Sequence, residues 1–130
     1  MSLQLIPGLR VHDATVLRVM LCQPECLLEF ERVDGSKVGL VLNGCSAFGV
    51  VGLRERAIVL SVEAYHLRDD KPPPTDEHWR TLVGGDYQPG AHEFDRYRSA
   101  NDYLVSVNNS FGGALVILCR SFVVEERPRC

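Results

Sequence analysis

The sequence predicts a mainly β fold: an antiparallel sandwich or strongly curved sheet of about six strands, with one or two short helices in the 67–101 segment. An α+β arrangement is the alternative. Three observations carry this reading. Apolar and polar residues alternate with period two through both ends of the chain. Asp34-Gly35 and Asn43-Gly44 punctuate the alternating runs with residues that accept the positive φ of a tight turn. Between these ends lies a stretch holding Pro72, Pro73, Pro74, Gly84, Gly85, Pro89 and Gly90, and three consecutive prolines block both a helix and a ladder.

In chain order, Ala14 to Leu21 is apolar on both alternating faces apart from Thr15 and Arg18, which suggests a central strand. Glu25 to Val33 sets Cys26, Leu28 and Phe30 against Glu25, Glu29 and Glu31, a half-buried strand with a wet face. Val38, Leu40 and Leu42 repeat the alternation. Ala57 to Tyr65 follows, with Ile58, Leu60, Val62 and Ala64 on one face. These four runs, joined by short turns, read as a meander. Asp76 to Val83 is a short helix, capped by Thr75 or Asp76 and ended by Gly84-Gly85. Glu93 to Ser99 is a second helical candidate through Phe94 and Tyr97. Tyr103 to Val107 and the long, β-branched Ala114 to Val124 are strands joined by a hairpin loop at Asn108 to Gly113. Glu125 to Cys130 reads as a charged tail.

The 130 residues are one domain's worth, and 45% apolar with 24% charged residues is a globular composition. The formal net charge of −3 argues against a nucleic-acid binder, which needs a basic face to displace counterions. Five cysteines at irregular spacing do not form a secreted disulfide framework, and no Cys or His pairs stand at metal-ligand spacing. Neither a cofactor nor a metal is expected. Met1 to Arg10 lacks the basic-then-apolar pattern of a secretory signal, and no apolar run nears the roughly 20 residues that span a bilayer. The cytoplasm is the expected compartment, with no membrane role.

Several constellations bear chemistry, each with a plainer account. His12 and Asp13 begin one strand and His66 ends another; if those strand ends met, they would bind a metal or move protons. Otherwise Asp13 only ties down a turn. His92, Glu93 and Asp95, with His78 upstream, are either an acid–base set or a charged surface. Glu29 and Glu31 share one strand face, which is more often wet than catalytic. The glycines near Asn109 lack the Lys-Ser/Thr and the following helix of a phosphate loop. Cys22 and Cys45 have no cationic neighbour or helix N-terminus to activate a thiolate. Trp79, Tyr87, Phe94 and Tyr97, interleaved with Arg80, Arg96 and Arg98, have the composition of a protein-binding hot spot. The plainer account is that the aromatics anchor a long loop on the sheet.

Leu9, Val11-His12-Asp13-Ala14 and Val16, followed by an acidic–apolar strand and an Asp-Gly hairpin, resemble small bacterial β-rich proteins that begin with a His-Asp-Ala strand. Some of these are immunity proteins of toxin systems. The resemblance covers Leu9 to about Tyr65 and implies a protein that neutralises a partner rather than an enzyme. It assigns no residue a role.

The expected function is therefore a non-enzymatic protein-binding module, immunity-protein-like, contacting its partner through Trp79, Arg80, Tyr87, Phe94, Arg96, Tyr97 and Arg98. The alternative is a small enzyme or ligand-binding domain with His12, Asp13 and His66 at one end of the sheet. Strands apolar on both faces need cover that a short chain supplies sparingly, so a homodimer through a sheet face or edge is also expected.

Overall fold

The computed structural model of the chain describes residues 6, 8–52, 58–67, 75–83, 102–109 and 113–127. These residues form eight strands and one helix: β1 Thr15–Leu21, β2 Glu25–Glu31, β3 Lys37–Asn43, β4 Ala47–Val51, β5 Val59–His66, α1 Asp76–Val83, β6 Tyr103–Asn109, β7 Ala114–Cys119 and β8 Ser121–Arg127. They make two antiparallel four-stranded sheets, ordered β1-β2-β3-β8 and β4-β7-β6-β5. The inner faces meet over one core, to which Leu28, Phe30, Leu40, Val105, Leu115 and Ile117 contribute. The mainly β, sandwich-like fold with a short helix is the one read from the alternation.

Several details depart from the sequence reading. Ala14 to Leu21 is not central: β1 is an edge strand, and its second apolar face holds Met20, 45% exposed. The fourth run does not extend the meander, because β5 belongs to the other sheet. A bulge between Val59 and Ser61 also changes its facing. Val59, Val62 and Ala64 pack inward, while Ile58 and Leu60 are exposed. Ala114 to Val124 is two strands, broken at Arg120. Finally, Glu125 and Glu126 are not a loose tail but part of β8, paired in register with β3. The expected helix at Glu93 to Ser99 lies outside the described residues.

The break at Arg120 and the missed strand β4 have one cause. β3 pairs with β8, and β4 pairs with β7, so the same two stretches of chain stay paired on both sides of a corner. Arg120 N–H donates to the Asn43 carbonyl (2.9 Å) and Ser46 N–H to that of Leu118 (3.1 Å), carrying the ladder around the bend. Gly44 takes a φ of +68° there, and a Cβ on it would press on the Arg120 side chain. Asn43-Gly44 is thus a corner between sheets and not a hairpin. Diagonally opposite, Thr15 bridges Ile58, and Asp13 and Val59 N–H groups donate across the gap at 2.8 Å.

Asp34-Gly35 is the tight turn the sequence predicts: Gly35 has φ +87°, and Asp34 accepts from Ser36 N–H at 2.9 Å. Beneath it, Arg32 is 8% exposed. Its guanidinium donates to both Glu126 carboxylate oxygens (2.8 Å each) and to the Leu9 and Gly8 carbonyls. This bidentate pair raises the Arg32 pKa and lowers that of Glu126. One buried cation therefore fastens the N-terminal segment and the end of β8 to the same hairpin.

Candidate functional site

Strand register arranges the outer face of the β4-β7-β6-β5 sheet in rows. Tyr65, Leu104, Leu118 and Ala47 form an apolar row. Glu63, Ser106, Val116 and Gly49 form the next, and Ser61, Asn108, Ala114 and Val51 the third. Helix α1 covers the apolar side, packing Trp79 and Leu82 on Tyr65, Leu104, Val116 and Leu118. Gly49 admits the helix backbone: a Cβ there would strike the Thr81 carbonyl and the Leu82 Cα. Beside the helix, Ser61, Glu63 and Asn108 of the other two rows floor a groove of about 460 Å3, walled by Thr75, Glu77, His78 and Thr81. That volume suits a small ligand or a single inserted side chain.

The groove floor is a connected polar network. Asn108 Nδ2 donates to Glu63 Oε1 (2.9 Å) and to Ser61 Oγ (3.1 Å). Ser61 Oγ donates to Glu63 Oε1 at 3.4 Å, and the Tyr65 hydroxyl to Glu63 Oε2 at 3.1 Å. Ser106 Oγ donates to Asn108 Oδ1 at 3.1 Å and so sets the amide's orientation. Three donors thus hold the Glu63 carboxylate in place. Among the described residues no Lys or Arg forms an ion pair with it.

The wall residue His78 is fixed by the helix start. Thr75 is the N-cap: its Oγ1 accepts from His78 N–H (3.4 Å) and its carbonyl from Trp79 N–H. The His78 ring closes the box, with Nδ1 accepting the Thr75 backbone N–H at 3.0 Å. Glu or Gln usually takes this role. With Nδ1 an acceptor, the neutral ring carries its proton on Nε2. The ring leans on Tyr65, centroids 5.1 Å apart. Burial lowers its pKa below the ordinary value, and the charges of Glu63 and Glu77 only partly offset this.

The residues expected from sequence are distributed differently. His12 and Asp13 are adjacent and exposed, 3.6 Å apart, and His12 Nδ1 lies 2.8 Å from the Leu60 carbonyl. His66 is six residues farther along β5, roughly 20 Å away at the rise of a strand, in edge contact with Tyr103. The three do not meet. His12 instead rims a second, mostly apolar concavity of about 360 Å3, lined by Ile6, Leu9, Val11 and Val62. Trp79 is 1% exposed and packs α1 on the sheet, which removes it from any exposed contact surface, while Arg80 is exposed. Tyr87, Phe94, Arg96, Tyr97 and Arg98, like His92, Glu93 and Asp95, lie outside the described residues. Glu29 and Glu31 face outward from the other sheet, Glu31 beside Lys37. Cys26, Cys45 and Cys119 are core residues, and burial pushes the Cys45 and Cys119 thiols up to about 12, leaving them inert. Among the described residues no group of three His, Cys, Asp or Glu side chains stands ready to hold a metal.

Sequence reasoning missed Glu63, Ser61, Tyr65 and Asn108. Their signal was present: polar residues two apart in two strands that are otherwise apolar. Pairing β5 with β6 was the missing step. Among the described residues no helix is long and apolar enough to cross a membrane. No family model matches the chain, and neither curated proteins nor solved structures yield a match.

Proposed function

We propose that this domain is a non-enzymatic protein-binding module whose recognition site is the groove between α1 and strands β5 and β6, and that it receives a basic side chain of the partner. The observation that carries this reading is Glu63. Its carboxylate is oriented in advance by Ser61, Tyr65 and Asn108, at the floor of a concave site with a second carboxylate, Glu77, on the wall. A preset carboxylate takes a guanidinium or ammonium without the cost of immobilising its own side chain. The apolar rim of Val51 and Leu60 suits the methylene stem of Arg or Lys. A basic partner accords with the chain's acidic balance and with the resemblance to immunity proteins, whose counterpart would be a basic toxin. Exposed Arg80 lies on the same helix, outside the groove lining.

Titration of isotopically labelled protein with a capped hexapeptide containing Arg, and separately with spermidine, tests the reading. The peptide is expected to shift the resonances of Ser61, His78 and Asn108 in the wild type and not in Glu63→Gln. No shift, or an equal shift in Glu63→Gln, overturns it. Response to spermidine alone points to a free amine in place of a protein side chain and overturns the protein partner.

A further inference from the structure

The outer face of the β1-β2-β3-β8 sheet carries a different pattern. Register aligns Met20, Leu27, Val41 and Val123 in one apolar row across all four strands. Met20 is 45% and Val123 50% exposed, and no described element covers them. The next row reads Arg18, Glu29, Gly39, Glu125, and beyond it Glu31 pairs with Lys37. On the other side of the apolar row, Glu25 lies beside Asn43 and Ser121.

We infer that this face binds a second copy of itself, about a two-fold axis running parallel to the strands between β2 and β3. That axis exchanges β1 with β8 and β2 with β3 and leaves every row on itself. Met20 then meets the second copy's Val123, and Leu27 meets its Val41. Arg18 meets the second copy's Glu125, Glu31 meets its Lys37, and Glu29 meets its Gly39, a position without charge. No like charges face one another. An axis across the strands instead exchanges the rows on either side of the apolar one and sets Glu25 against the second copy's Glu29 twice, a repulsive arrangement. The order of charges along the rows therefore selects one symmetric pairing. The usual offset of about 30° between packed sheets moves the corner residues by only a few ångströms, within reach of Arg and Glu side chains. Four strands of seven residues project to roughly 440 Å2 at ~4.8 Å spacing and ~3.3 Å rise. That is below the ~800 Å2 per partner of a standard stable interface, so the dimer is weak and concentration-dependent.

Sedimentation velocity up to ~1 mM protein tests this, since that range reaches even millimolar association. The wild type is expected to move from monomer to dimer, with Arg18→Glu and Glu125→Arg each weakening association roughly tenfold or more and the double variant restoring it. Val123→Lys is expected to abolish association with thermal stability retained, and Glu63→Gln to leave it unchanged. A monomer throughout the range, single and double charge variants of equal effect, or a dimer that survives Val123→Lys overturns the inference.

Discussion

The two sheets share one core and treat their outer faces in opposite ways. On the β4-β7-β6-β5 sheet, α1 covers the apolar rows, and the uncovered remainder is a hydrogen-bonded polar network. On the β1-β2-β3-β8 sheet, no described element covers the outer face, which sets a single apolar row among charges. The first face is finished within the chain, and its leftover polar groups are organised into a groove. The second is finished only by alternating charge with hydrophobe. The lesson concerns cost: substitutions under α1 disturb the fold, whereas those on the open face test association with the fold intact.

The largest contrast is expected from Trp79→Ala. Removing this fully buried ring from between α1 and the sheet should cost about 4 kcal/mol, the range of large-to-small core changes, read as a lower denaturation midpoint in urea. A loss under about 1 kcal/mol would break the contrast by showing that α1 is not held through this contact. For the same reason Trp79→Ala cannot report on binding.

Gly49→Ala sharpens the contrast from the sheet side. The added Cβ meets helix backbone, which cannot rotate aside as a side chain would. A cost of about 2–3 kcal/mol is expected, as for overpacking, together with displaced resonances along α1.

His78 adds a dependence on pH. Its folded pKa lies below its ordinary value of 6.5 because partial burial penalises the charged ring more than the Glu63 and Glu77 charges favour it. The unfolded chain therefore binds more protons as pH falls below that value. This contribution is complete above pH 6.5 and is lost as pH falls through the folded pKa. Melting temperatures from pH 8 to pH 5 should fall more steeply for the wild type than for His78→Gln, which keeps a capping-box acceptor without titrating. Parallel profiles would show that the imidazole is not neutral in the groove wall.

The smallest effect is expected at Val123→Thr. Monomer stability should change by less than about 0.5 kcal/mol, as for other exposed positions, while self-association weakens. A large loss of stability in dilute solution would mean that the open face is covered within the monomer, and would end the contrast between the faces.

Much of this was legible in the linear pattern. Period-two alternation located β2 and β3, Asp34-Gly35 marked their hairpin, and a cap at Thr75 or Asp76 with Gly84-Gly85 beyond it located α1. These features depend on residues a few positions apart, where backbone preference and solvent exposure act locally. Tertiary pairing decided the rest. Whether Asn43-Gly44 is a hairpin or a corner depends on the ladder that Arg120 and Leu118 extend around it from more than 70 residues away. The bulge that turns Leu60 outward exists only in register with Asn108 and Asn109. The groove follows the same logic. Ser61, Glu63 and Tyr65 were readable as the polar face of one strand, but they become a site only when β6 brings Asn108 alongside and α1 sets His78 above. A sequence states which face of a strand each residue occupies; only long-range hydrogen bonding decides which faces share a surface.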